Sequence, residues 1–209
     1  RVFNKDLSRT SLSLKIALFR EAAAVFARDK NISAAKEWLL KAKSLDQDGD
    51  YRNDDARLLI CEKKPEEALR MLRDLNNPEA HALVMDAISN KDGIQAAIDY
   101  ATNEKLVGEK INAPGLLGLA GKASEIKDFE QAEAFLSTAT KEQIKTCPAI
   151  LSVRAGMRIA LCSPNIERDS VHLVTPLHPT SIHFSDEPAK VELRKLALID
   201  IEEFLGEHA

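Results

Sequence analysis

Ala35, Ala68, Ala96 and Ala132 recur along the chain at spacings of 33, 28 and 36 residues. Twelve residues before each stands another small apolar residue, Ala23, Ala56, Val84 or Ala120. Four residues after each comes a large one, Leu39, Leu72, Tyr100 or Leu136. A small residue lets a neighbouring helix approach closely, and a large one fills the space beside it. A unit of this length holds two helices and buries its apolar face only against the next unit. The beat therefore predicts stacked helical hairpins.

The rest of the chain agrees with long helices. Apolar residues make up 44% and charged residues 30% of 209, with eight Gly and eight Pro. Ala, Leu, Glu and Lys dominate the first 160 positions, and all favour helix intrinsically. Apolar residues at three- and four-residue steps predict helices over about 12–29, 31–45, 52–63, 65–75, 78–90, 92–105, 113–127, 129–141 and 148–162. Asn31 and Asp128 are N-cap candidates. Pro65-Glu66-Glu67 and Pro78-Glu79 are favourable first turns, because Pro sits where the N–H has no partner and acids suit the positive helix end. Residues 163–187 change character, with Pro164, Pro176, Pro179, three histidines and the β-rich run Val171 to Thr175. They read as an irregular insertion, with a short helix near 166–173. A last amphipathic helix over about 188–206 carries Val191, Leu193, Leu196, Leu198, Ile199, Ile201, Phe204 and Leu205, and is expected to cap the array.

The first unit carries Phe19, Ala22, Ala23 and Phe26, then Ala35 and Leu39. The third carries Ala80, Leu83, Val84 and Ala87, then Ala96 and Tyr100; the fourth carries Leu116, Leu119, Ala120 and Ala123, then Ala132 and Leu136. This spacing resembles the tetratricopeptide repeat over roughly residues 12–162. The closing Pro of that family is absent at Gln47, Ala80, Gly108 and Ile144, and the second unit has Arg52 and Asp55 where apolar residues are usual. The resemblance implies an all-α, right-handed α-solenoid of four to five antiparallel hairpins over residues 1–162. The insertion 163–187 and the capping helix 188–209 complete a single structural domain.

The resemblance also implies a scaffold that holds a partner protein or peptide in a concave groove lined by the first helix of each pair. In this register the groove carries Arg20, Arg28, Asn53, Arg57, His81, Met85 and Ser124, extended by Arg154 and Arg158. The arginines favour an acidic peptide, since guanidinium binds carboxylate bidentately. One family device grips a peptide's terminal carboxylate and needs Asn where this chain has Ala24, Arg57, Met85 and Gly121, so that clamp is not expected in its usual form.

Other motifs are incomplete. Gly115 to Ser124 looks like a phosphate loop, but Leu116 stands where the first Gly is required and Ala123 follows Lys122. Its glycines are expected to permit close helix packing instead. Ser44, Asp46, Asp48, Gly49 and Asp55 approach a calcium loop, with Ser in the first position and the short Asp in the last. Cys162, His172, His178 and His183 are too loosely spaced for a structural zinc site. Cys61, Cys147 and Cys162 form no CxxC and read as reduced thiols of a cytoplasmic protein. No catalytic motif is present and paired acids such as Glu66-Glu67 diverge around a helix, so neither enzyme activity nor a cofactor is expected. The net charge of −4 argues against a nucleic-acid partner. No apolar run reaches the roughly 20 residues that cross a bilayer. A first residue of Arg1 with no signal-peptide pattern reads as a piece of a longer or processed polypeptide. The alternative function is a regulatory module that binds a small ligand or signalling peptide and controls an attached effector domain.

Overall fold

A computed structural model describes residues 11–162 and 188–206. The insertion 163–187, with His172, His178 and His183, lies outside the described residues, as do 1–10 and 207–209. Every regular element among the described residues is helical. The helices are α1 (Leu12–Arg28), α2 (Ile32–Leu45), α3 (Arg52–Cys61), α4 (Pro65–Leu72), α5 (Pro78–Asp92) and α6 (Ile94–Asn103). There follow α7 (Ala113–Glu125), α8 (Phe129–Ser137), α9 (Lys141–Thr146), α10 (Ala149–Cys162) and α11 (Pro188–Gly206), with a 3-10 turn at Gly108–Lys110. No helix among them is long and apolar enough to cross a membrane.

The starts are set by side chains that accept orphan N–H groups. Ser11, Asn31, Asn77, Asn112, Asp128 and Thr140 each cap the helix that follows. The ends share a backbone device. Lys30, Lys63, Lys105 and Lys127 each follow a helix with φ between 51° and 64°. The next N–H reaches back five residues, as from Asn31 to Phe26, Lys64 to Leu59 and Asp128 to Ala123. This is the left-handed C-terminal turn that satisfies open carbonyls. Lys30, Lys63 and Lys127 each stand five residues before a beat alanine, so one turn geometry joins α1 to α2, α3 to α4 and α7 to α8.

The third pair departs from this. A single residue, Gly93 at φ 97°, joins α5 to α6. The shorter joint moves the packing register, so Ala97 and Ala101 are buried at 0% and 1%, while Ala96 is only partly covered. The expectation that placed Ala96 on the beat is corrected by one residue. Elsewhere Ala23, Ala56, Ala120, Ala35, Ala68 and Ala132 are all buried.

Consecutive helices pack as α1 on α2, α3 on α4, α5 on α6, α7 on α8 and α10 on α11. The first members also touch in series: α1 on α3, α3 on α5, α5 on α7, α7 on α10. The second members α2, α4, α6 and α8 pack on α3, α5, α7 and α10 in turn. Three apolar clusters fill the joints, around Leu39 and Tyr51, around Leu72 and Leu83, and around Leu116, Leu136 and Met157.

One helix was not expected from periodicity, and another, expected, packs differently. Helix α9 opens with a reciprocal capping box between Thr140 and Gln143, and the Gln143 amide also donates to the Gly108 and Ile111 carbonyls at 2.9 and 2.6 Å. Helix α11 packs on α10 but buries only Ala197 and Asp200 fully, leaving Leu198, Ile199 and Leu205 exposed. Its apolar residues lie around the helix rather than on one face, which corrects the expectation of a broad apolar face turned inward.

Candidate functional site

A groove of about 430 Å³ runs across α1, α3, α5 and α7, the first members of four successive pairs. Ala24, Ala82 and Gly118 leave it room, and Ile60, Leu83, Met85 and Leu119 give it apolar surface. Gly118 is open, for a Cβ there would meet nothing within 4 Å. The same holds at Gly121, so these two glycines do not serve close helix packing, contrary to expectation. At Gly115 a Cβ would stand 2.6 Å from the Ile111 side chain and 2.9 Å from the Asn112 cap oxygen, so that glycine makes room for its own helix's N-terminal turn.

The charges around the groove are balanced, with Arg28, Arg57 and Lys122 against Glu21, Glu79 and Asp86. They are also mutually engaged. Arg57 pairs with Glu79, Lys122 donates to Asp86 at 2.8 Å, and Arg28 reaches Glu21 at 3.5 Å. Lys122, the lysine of the phosphate-loop look-alike, is thus already held by a carboxylate on α5.

Behind this wall lies a buried polar network. Asp54 is 6% exposed. Arg20 Nη2 stands 2.7 Å from Asp54 Oδ2 as an ion pair, but that buried oxygen receives no well-aligned hydrogen bond among the described residues. Arg57 Nη1 is 3.7 Å from the other oxygen. Burial pushes the Asp54 carboxyl up from its ordinary range, against the pull of Arg20 and Arg57. Asn53 donates to Glu79 at 3.0 Å and to Asn77 at 3.3 Å, while its own carbonyl oxygen has no partner. Arg20 also lies over the Tyr51 ring, 5.2 Å from its centroid, and the Tyr51 hydroxyl donates to the Ala42 carbonyl at 3.1 Å.

Arg28, Arg57 and Met85 therefore line the groove, whereas Arg20 and Asn53 stiffen its wall. The remaining expected positions lie elsewhere. His81 is on the opposite face of α5, its Nε2 3.0 Å from Asn76 Oδ1. The Ser124 hydroxyl donates to the Ala120 carbonyl at 2.9 Å and stands 3.5 Å from the Met157 sulfur on α10. Arg154 and Arg158 fasten α11 rather than extend the groove. Arg154 donates twice to Asp200, at 2.7 and 3.0 Å. Arg158 donates to Asp200 at 2.7 Å, to Glu133 at 2.9 Å and to the Leu196 carbonyl at 3.2 Å. Their partner lies more than 40 residues away, and no periodicity links the positions.

Elsewhere, Asp55, the last position of the calcium-loop look-alike, is gripped by the Lys43 ammonium at 2.7 and 2.8 Å. No group of three or more His, Cys, Asp or Glu side chains converges among the described residues. The thiols of Cys61, Cys147 and Cys162 are unpaired, and burial raises those of Cys61 and Cys162.

No protein-family model matches the chain, and no curated protein or solved structure is significantly similar to it.

Proposed function

We propose that the helix pairs stack as a right-handed α-solenoid of the tetratricopeptide kind, and that the groove across α1, α3, α5 and α7 holds a segment of a partner protein. The observation that carries this reading is the groove itself. Its volume of about 430 Å³ falls in the roughly 300–1,000 Å³ range of functional pockets. It combines open space at Gly118, floored by Leu83 and Leu119, with charges held in fixed positions by their own partners.

A segment suited to it inserts an apolar side chain above Gly118, between Leu83 and Leu119. It runs its polar groups along the Arg57–Glu79 and Lys122–Asp86 pairs. Because cations and anions are equal in number along the lining, the groove suits a segment of mixed polarity better than a uniformly acidic one. The reading assigns the protein no catalytic step. It places the protein in the cytoplasm, in keeping with three unpaired thiols.

A photo-crosslinking residue at Gly118 tests the idea, with the same residue at exposed Glu130 as control. A partner captured at Gly118 and not at Glu130 supports groove binding. Gly118→Trp should then weaken that partner about 10-fold, or about 1.4 kcal/mol, without lowering the melting temperature. Equal capture at both positions, or unchanged binding by Gly118→Trp, removes the groove as the site.

A further inference from the structure

A second concavity, of about 570 Å³, opens on the far side of α5 between α4 and α6. Helix α5 is the wall shared with the groove. At about 100° per residue, Glu79, Ala82 and Asp86 turn to the groove while His81 and Val84 turn to this cleft. The cleft exists because α4 and α6 do not touch each other, although both pack on α5. Its apolar part is Leu69, Leu75, Val84 and the ring of Tyr100.

Its polar part differs from that of the groove. Arg20, Arg28, Arg52, Arg57, Arg154 and Arg158 each stand within 3.5 Å of a carboxylate oxygen. Arg70 and Arg73, both lining this cleft, have no such partner among the described residues. Nor does either donate to the open carbonyls at the end of α4, the ordinary use of a basic residue there. They are three residues apart and so share a side of the chain. His81 adds a ring already oriented by Asn76, and Glu104 on the rim is the one carboxylate of the lining. In a chain of net charge −4, this is a local positive excess beside apolar surface, whereas the groove lining is neutral in sum.

We propose that the cleft between α4 and α6 binds an anionic head, phosphate or carboxylate, carried on an apolar body. The head lies against the Arg70 and Arg73 guanidiniums, which present paired donors to such oxygens. The body lies against Leu69, Val84 and Tyr100. The site is independent of the peptide reading and faces away from it.

The test follows the His81 and Tyr100 ring resonances of the whole chain by NMR while phenyl phosphate, benzoate or inorganic phosphate is added. Saturable shifts with phenyl phosphate or benzoate, at least 10-fold tighter than with inorganic phosphate, are expected. Whichever of the two binds more tightly identifies the head. The double variant Arg70→Gln, Arg73→Gln should lose at least 10-fold in that affinity. Both residues are exposed and without a carboxylate partner among the described residues, so its melting temperature should match the parent's. Failure of both organic anions to saturate, equal binding of inorganic phosphate, or undiminished binding by the double variant overturns the proposal.

Discussion

Two buried aspartates, each set between two arginines, invite comparison. Asp200 in the clasp between α10 and α11 receives three hydrogen bonds from Arg154 and Arg158, all at 3.0 Å or less. Asp54 behind the groove has one guanidinium close but misaligned and another at 3.7 Å. The first arrangement uses up its lone pairs and fixes a helix in place. The second holds a buried carboxylate by one close ion pair of poor alignment, in the wall of a candidate binding surface. A satisfied polar network specifies structure, while an incomplete one carries a standing desolvation penalty. The same residue types thus serve as a fastener at one end of the molecule and as an under-bonded support in the middle.

The sharpest way to break the comparison is Asp200→Ala. It strands Arg154, whose side chain is only 12% exposed, and leaves Arg158, 9% exposed, with Glu133 as its one carboxylate among the described residues. A loss of about 3–5 kcal/mol is expected, read as a fall in melting temperature of roughly 6–20 °C for a chain of this size. A loss below 1 kcal/mol would mean that the clasp does not hold α11.

Next in size are double-mutant cycles. The Asp200–Arg158 cycle should give a coupling of about 2–3 kcal/mol. The Asp54–Arg20 cycle should give less than about 1 kcal/mol, because Arg20 is substantially exposed. Equal couplings would erase the distinction drawn between the two networks.

Acidity separates the groups further. The Asp54 carboxyl is raised from 3.8, so the folded state takes up its proton before the unfolded state does. Its contribution to stability is present at acid pH and lost as pH rises through the folded value. Relative to the parent, Asp54→Asn should therefore be most favourable at neutral pH, and that advantage should shrink as pH falls toward 4. Asp50 and Glu62 run the other way. Hydrogen bonds from Arg52 hold Asp50 at about 2, and the Lys36 ammonium lowers Glu62. Their support is present above the ordinary carboxylate range and fades on acidification. Denaturant unfolding of parent and Asp54→Asn across pH 4–7 reads the difference.

The smallest test asks whether backbone strain explains the contrast instead. Lys63 sits next to α3, the helix that carries Asp54, and Lys127 follows α7; both adopt positive φ. Replacing either with Gly should stabilise by roughly 0.5–1 kcal/mol. Similar gains at both would show that the turn strain is shared and leave the side-chain networks as the difference.

The sequence carried the helices because their signals are local. Alternation of small and large residues, proline first turns and Asn or Asp caps all lie within a few positions of one another. The capping box of α9 was equally local at Thr140 and Gln143, but its helix is too short to show a period. The third unit slipped by one residue because Gly93 shortens a joint, and spacing alone reads such a change as noise. Of the groove, Arg28, Arg57 and Met85 were legible from the repeat register. Arg154, Arg158, His81 and Ser124 were not, since their surroundings depend on partners or helix rotation that no repeat position encodes. The lack of a carboxylate partner for Arg70 and Arg73 among the described residues is visible only in three dimensions, beside six arginines that each have one.

The openness of Gly118 and Gly121 bears on time as well as shape. A glycine within a helix gives up about 1 kcal/mol relative to alanine, and neither position recovers any of it in contacts, as no atom would meet a Cβ there. Helix α7 is thus the least self-sustaining wall of the groove. In amide exchange its central turns should open before those of α5, which has no glycine between Pro78 and Asp92. The surface offered to a partner is then unequal in stiffness, a firm α5 facing an α7 that breathes.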